Sequence, residues 1–138
     1  MPEPLITRVD AVVLRVPNLD EGLAFYRDRM GHQLIWRTEA AAGLRMPDSA
    51  SELVISTELG PETDLMTESV SAAIDRFVVA GGRVVAAPAE IAIGKVAVVM
   101  DPFGNQLVIL DAAKGRLTTD DAGNVTGVSN AQLRSGAV

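Results

Sequence analysis

The first patterned stretch begins after Asp10, where Ala-Val-Val-Leu-Arg-Val runs to Pro17 with little alternation of polarity. A short, β-rich, mostly apolar run closed by proline predicts a strand covered on both faces. The period then becomes helical. Asn18 is placed to cap, Glu21 stands at the reciprocal position of a capping box, and Leu19, Leu23, Tyr26 and Met30 fall on one face before Gly31 ends the helix. Three short strands are predicted next, at His32–Arg37, at Gly43–Met46 ahead of Pro47, and at Glu52–Thr57.

The order then repeats. Thr63–Thr67 reads as a strand, Ser69 as a cap, and Val70, Ala73, Ile74 and Phe77 as a buried helical stripe stopped by Gly81-Gly82; strands follow at Arg83–Ala87, Lys95–Met100 and Gln106–Leu110. Asn18 on Ser69, Leu19 on Val70, Tyr26 on Phe77 and Gly31 on Gly82 share an offset of 51, and ELVIS (Glu52–Ser56) matches QLVIL (Gln106–Leu110) at 54. The fold class is therefore α+β, two tandem βαβββ modules spanning 8–57 and 62–112 within a domain of residues 1–112. Residues 113–138 form an extension in which Arg116–Val128 predicts a hairpin around Asp-Ala-Gly-Asn.

Composition narrows the chemistry. Among 138 residues there are 12 Lys+Arg against 18 Asp+Glu, a formal charge of −6, one histidine and no cysteine. Disulfides, Cys-ligated zinc, iron–sulfur clusters and a Cys nucleophile are excluded, as is a cage of two or three histidines. The acidic balance, with no Lys/Arg cluster, argues against binding to nucleic acid or anionic lipid. Charges and prolines in MPEPLITRVD leave no continuous apolar stretch for a signal peptide, and no segment is apolar for the ~20 residues of a membrane span, so a cytoplasmic location is expected.

The phrases LRVPNLDEGLAFYRDRMGHQLIW and DPFGNQLVIL, set in two βαβββ modules, resemble the vicinal oxygen chelate superfamily of glyoxalase I, bleomycin and fosfomycin resistance proteins and extradiol dioxygenases, over roughly residues 8–112. The resemblance implies that each module curls its strands into an open half-barrel and that paired modules enclose a cavity. It also implies four metal-ligand places, which fall on Ala11, Val54, Glu62 and Val108. Only Glu62 has a donor, so no metal or other cofactor is expected, and a divalent ion would need a displaced site recruiting Glu52, Asp64 or Gln106.

If position 11 faces that cavity, strand parity brings Val13 and Arg15 with it and turns Val12, Leu14 and Val16 toward the helix. The same parity lines the cavity with Glu52, Val54 and Ser56, with Glu62, Asp64 and Met66, and with Gln106, Val108 and Leu110. An apolar wall with a few polar groups suits a small molecule; alternatively Arg15 pairs with Glu62 or Asp64 inside a filled interior. Trp36 and Phe103 are the available aromatic platforms, since Tyr26 and Phe77 belong to helix stripes and Phe25 is expected to be partly exposed. His32 reads as structural, Gly81-Gly82 as a helix stop, and Asp101 as a carboxylate bonding the amides of its own turn.

Three functions are consistent with these residues. The first is a metal-independent protein that binds or sequesters a small organic molecule, using Arg15, Trp36, Ser56, Asp64, Met66, Phe103 and Gln106. The second is a glyoxalase-like lyase or isomerase with Glu62 as general base and Arg15 as electrostatic partner. The third is an interaction module with its cup collapsed. Extradiol cleavage is disfavoured because its metal ligands are missing. By resemblance the chain forms a homodimer, side by side or module-swapped.

Overall fold

A computed structural model describes residues 3–130. Its elements are β1 (Arg8–Arg15), α1 (Leu19–Leu23) continued by a π-helical turn (Ala24–Arg29), β2 (Leu34–Arg37), β3 (Ala41–Arg45), β4 (Glu52–Ser56), β5 (Glu62–Met66), α2 (Val70–Val79), β6 (Arg83–Glu90), β7 (Lys95–Met100), β8 (Gln106–Leu110), β9 (Arg116–Thr119) and β10 (Val125–Ser129). The predicted βαβββ order occurs twice. Two compact units result, one of Val9–Thr63 with Thr118–Gly127, the other centred on Asp64–Leu117 and including the segment before Val9.

In the first unit the strands run β2-β3-β4-β1, antiparallel except for the parallel pair β1–β4. Asn18 caps α1 as predicted: Glu21 N donates to its Oδ1 at 2.8 Å, and its Nδ2 donates to Glu21 Oε2 at 2.7 Å. Leu19 and Leu23 pack with Val16, Ala42, Leu44 and Ile55, with Tyr26 against them. Gly22 permits this approach, since a Cβ there would stand 2.8 Å from Ile55 Cδ1. Met30 departs from the expected stripe and is 57% exposed. The helix widens after Leu23, with Met30 N donating to Phe25 O at 3.0 Å, so residue 30 has moved out of phase with 19 and 23.

β2 begins at Leu34 rather than His32. The histidine is instead a tie, its Nδ1–H donating to Arg45 O at 2.9 Å. The predicted hairpin is present as β9 and β10, and its tip lies against β2: Arg37 N donates to Gly123 O at 2.8 Å, and Gly123 packs on Leu34. The part of the extension from residue 131 onward, and residues 1 and 2, lie outside the described residues.

In the second unit the order is β5-β8-β7-β6, with β5–β8 parallel and the remaining pairs antiparallel. Val70 and Ala73 of α2, with Ile74 and Phe77, cover Ala97, Val99 and Ile109, as the stripe predicts. Ser69 Oγ accepts from Ala72 N, and Gly81, at φ +114°, ends the helix. β6 is longer than expected. It runs through Pro88 to Glu90 with two register shifts against β7, and such irregularities are tolerated at a sheet edge.

Candidate functional site

Each sheet has one face under its helix and one face away from it. In the first unit the register places Trp36, Gly43, Val54 and Val13 in one row across all four strands of the helix-remote face, with Glu52 and Ala11 paired in the next. Ala11, Val13 and Val54 form a buried cluster against which Trp36 and Ala41 pack. The indole lies on Gly43, where a Cβ would collide with Nε1, and Nε1–H donates to Glu52 Oε1 at 2.7 Å. The absence of a side chain at 43 gives the ring its seat, and the carboxylate fixes its orientation.

The corresponding row of the second unit is Asp64, Val108, Val98 and Ala86, flanked by Met66, Leu110 and Val96 on one side and by Gln106, Met100 and Arg83 on the other. This face carries a half-buried carboxylate and two methionines but no aromatic ring. On the helix side, Val16 packs under α1, and Leu65, Leu107 and Ile109 pack under α2.

Several expected binding residues have other occupations. Arg15 is exposed, and its guanidinium donates to Glu58 O at 2.6 Å and Leu59 O at 3.4 Å, holding the β4–β5 connection. Ser56 is buried, and its Oγ accepts from Glu58 N and Leu59 N, closing the same turn. Phe103 is 85% exposed at a turn tip, and Gln106 is exposed at the start of β8. Glu62 is half-buried on β5, two residues before Asp64 and therefore on the same strand face.

Asp101 does what its turn predicts. Its Oδ1 accepts from Phe103 N and Asn105 N, and its Oδ2 from Asn105 Nδ2. The Asn105 side chain and then its amide hold this exposed carboxyl below the usual Asp range. The hairpin tip repeats the device in Asp120-Asp121-Ala122-Gly123-Asn124: Asp120 accepts from the Asn124 amide, the Asn124 side chain and the Ala122 amide, and its carboxyl is likewise lowered. Sequence reasoning missed Asp111. This residue is 3% exposed, and its carboxylate accepts from Val70 N at 2.8 Å, Lys95 N at 3.0 Å and Ala113 N at 3.3 Å. It thereby joins the start of α2 to β7.

Of the four metal-ligand places that the resemblance implies, Glu62 alone has a donor. Ala11 and Val54, 3% and 8% exposed, are packed core residues, and Val108 has no lone pair. Among the described residues no group of three or more His, Asp or Glu side chains is arranged to hold a metal, and no helix is long and apolar enough to cross a membrane. A shallow cavity of about 280 Å³ lies beside the start of α2, lined by Leu5, Thr67, Ser69, Ala72 and Arg76 among others. Its cation is already engaged, Arg76 donating to Glu3 O at 2.7 Å.

Comparison with known proteins gives this geometry a family context. Residues 8–109 match the model of the Glyoxalase/Bleomycin resistance protein/Dioxygenase superfamily. Methylmalonyl-CoA epimerase from Mycobacterium tuberculosis is similar in fold, with TM-score 0.64 and 21% identity over 82% of this chain and 93% of that one. The Mn(II)-bound glyoxalase from Novosphingobium aromaticivorans has TM-score 0.56 and 19% identity over 79% of this chain and 40% of that one. The 2,3-dioxygenase LapB from Pseudomonas sp. KL28 has TM-score 0.54 and 18% identity over 75% and 41%. No curated protein matches the sequence.

Proposed function

Because the chain belongs to the Glyoxalase/Bleomycin resistance protein/Dioxygenase superfamily, we propose that it is a metal-independent member that binds, and by binding sequesters, a small organic molecule on the helix-remote faces of its modules. The observation that carries this reading is the fate of the ligand places: Ala11 and Val54 belong to an apolar cluster under Trp36, and Val108 is equally without donors. What the module faces offer is apolar surface with few polar groups, which suits binding by shape. Purified protein is expected to hold far less than one equivalent of divalent metal, and its melting temperature to be the same in EDTA as with added Mn²⁺, Zn²⁺ or Mg²⁺. A bound ion at one hundred times its Kd would add about 2.7 kcal/mol. A melting shift of several degrees, or a stoichiometric ion, overturns the proposal. Ligands are screened by quenching of Trp36, the chain's one tryptophan.

A second reading is favoured by one observation: Glu62, alone among the four places, keeps a carboxylate and is half-buried. As general base it would take a proton from a carbon acid in a lyase or isomerase reaction. Glu62→Gln then removes turnover while binding persists; unchanged turnover removes this reading. In either case the protein is taken to work in the cytoplasm as a homodimer.

A further inference from the structure

β6 is the outer strand of the second unit's sheet, and Arg83 opens it. The register pairs Arg83 with Met100 of β7, and Met100 with Gln106 of β8, so these side chains form one row on the helix-remote face. A long cationic side chain at a sheet edge ordinarily carries its charge out into water. This one turns inward along the row, its guanidinium donating to Met100 Sδ at 3.0 Å. A thioether is a weak acceptor, and it leaves most of the guanidinium's N–H groups to other acceptors. No carboxylate of the described residues meets Arg83, although the chain has 18 Asp+Glu against 12 Lys+Arg.

The surroundings define what this cation suits. Gln106 is exposed at the start of β8, two strand spacings or about 10 Å from Arg83, so its amide and the guanidinium can converge on one group above Met100. The neighbouring row supplies Val108, Val98 and Ala86, half-buried on the inner strands and exposed at the edge. The planar fork of an arginine matches the two oxygens of a carboxylate, the glutamine amide adds a further donor, and the adjoining apolar residues match a hydrocarbon body. Taking from the reading above that the helix-remote faces bind a small organic molecule, we propose that Arg83 and Gln106 anchor the carboxylate of a small organic acid whose apolar body lies on Val98, Val108 and Ala86. The ligand's charge and its orientation on the second module follow from this anchor.

Calorimetric titration of the full chain with matched acids and amides tests the anchor, using phenylacetate against phenylacetamide and naphthalene-2-acetate against naphthalene-2-acetamide. The wild type is expected to bind each acid about tenfold more tightly than its amide. Arg83→Gln is expected to bring acid and amide to within about twofold of each other, Arg83→Lys to keep part of the preference, and Gln106→Leu to reduce it about threefold. Equal melting temperatures of the wild type and R83Q check that the exposed substitution leaves the fold intact. If acid and amide bind the wild type alike, or if R83Q keeps the full preference, Arg83 is only an edge charge and the anchor is overturned while small-molecule binding stands. If no compound of the set binds, the anchor and the reading of these faces as small-molecule surfaces fall together.

Discussion

The two modules agree where the fold is made and differ on the faces turned away from their helices. Both have a side-chain oxygen capping the helix and an apolar stripe beneath it, at a common offset. On the helix-remote faces the agreement ends: the first module carries Trp36 on Gly43 above Val54 and Val13, whereas the second carries Asp64, Val108, Val98 and Ala86. Capping and helix packing are required of every copy of the unit, so those positions stay matched. The faces bear no such burden: the first carries an aromatic ring bonded to Glu52, and the second carries Asp64 with no ring.

The modules are also anchored differently, and the largest predicted effect follows from that. The position matching Asp111 at the offset of 54 is Thr57, whose hydroxyl makes one bond, to Ala40 O at 3.2 Å. Asp111 serves three amides. Asp111→Ala should destabilise the protein by about 3–5 kcal/mol, because it strands buried donors at the start of α2 and of β7. Thr57→Ala should cost about 1 kcal/mol. Urea unfolding of the two variants checks the contrast, and equal losses would show that the second module has no special anchor.

Trp36 comes next. Trp36→Ala should cost about 2–4 kcal/mol through lost packing over Ala11, Val13 and Val54 and the loss of the indole's hydrogen bond to Glu52. Gly43→Ala should cost about 1–3 kcal/mol, because the new methyl displaces the indole from its seat. If the ring is a packed lid, G43A also raises its accessibility to acrylamide quenching. An unchanged quenching constant would contradict the close seat.

Much of this architecture was legible in the chain. Caps, stripes, stops and strand parity are local, and the internal repeat supplied each twice. Local period failed where the winding itself changed, as at Met30, and at Pro88, where an edge tolerates a residue that a central strand would not. The candidate site was only partly readable. Parity brought Ala11, Val13 and Val54 to one face, but the carbonyls that bind Arg15 and the amides that bind Ser56 belong to a turn whose path no periodicity gives. Asp111 was hidden for the same reason, since Val70 and Lys95 lie 41 and 16 residues away.

One device is shared between the second module and the hairpin that borders the first, and it allows the finest comparison. Asp101 and Asp120 open the same Asp-x-x-Gly-Asn turn, each accepting two amides and an Asn side chain, and each has its carboxyl lowered when folded. A group with a depressed folded pKa contributes stability that is present above its unfolded value, about 3.9 for Asp, and is lost as pH falls through the folded one. Asp101→Asn and Asp120→Asn keep a side-chain acceptor but remove the charge. Each variant should therefore melt slightly below the wild type at pH 6, with the gap closing as the pH falls below 3.9 toward 2. Comparing melting temperatures at each pH cancels the titration of the other carboxylates. The two gaps should be alike, since both turns are exposed and bonded in the same way. A gap at either turn that stays constant to pH 2 would mean that shape, not the ionised carboxylate, selects aspartate there.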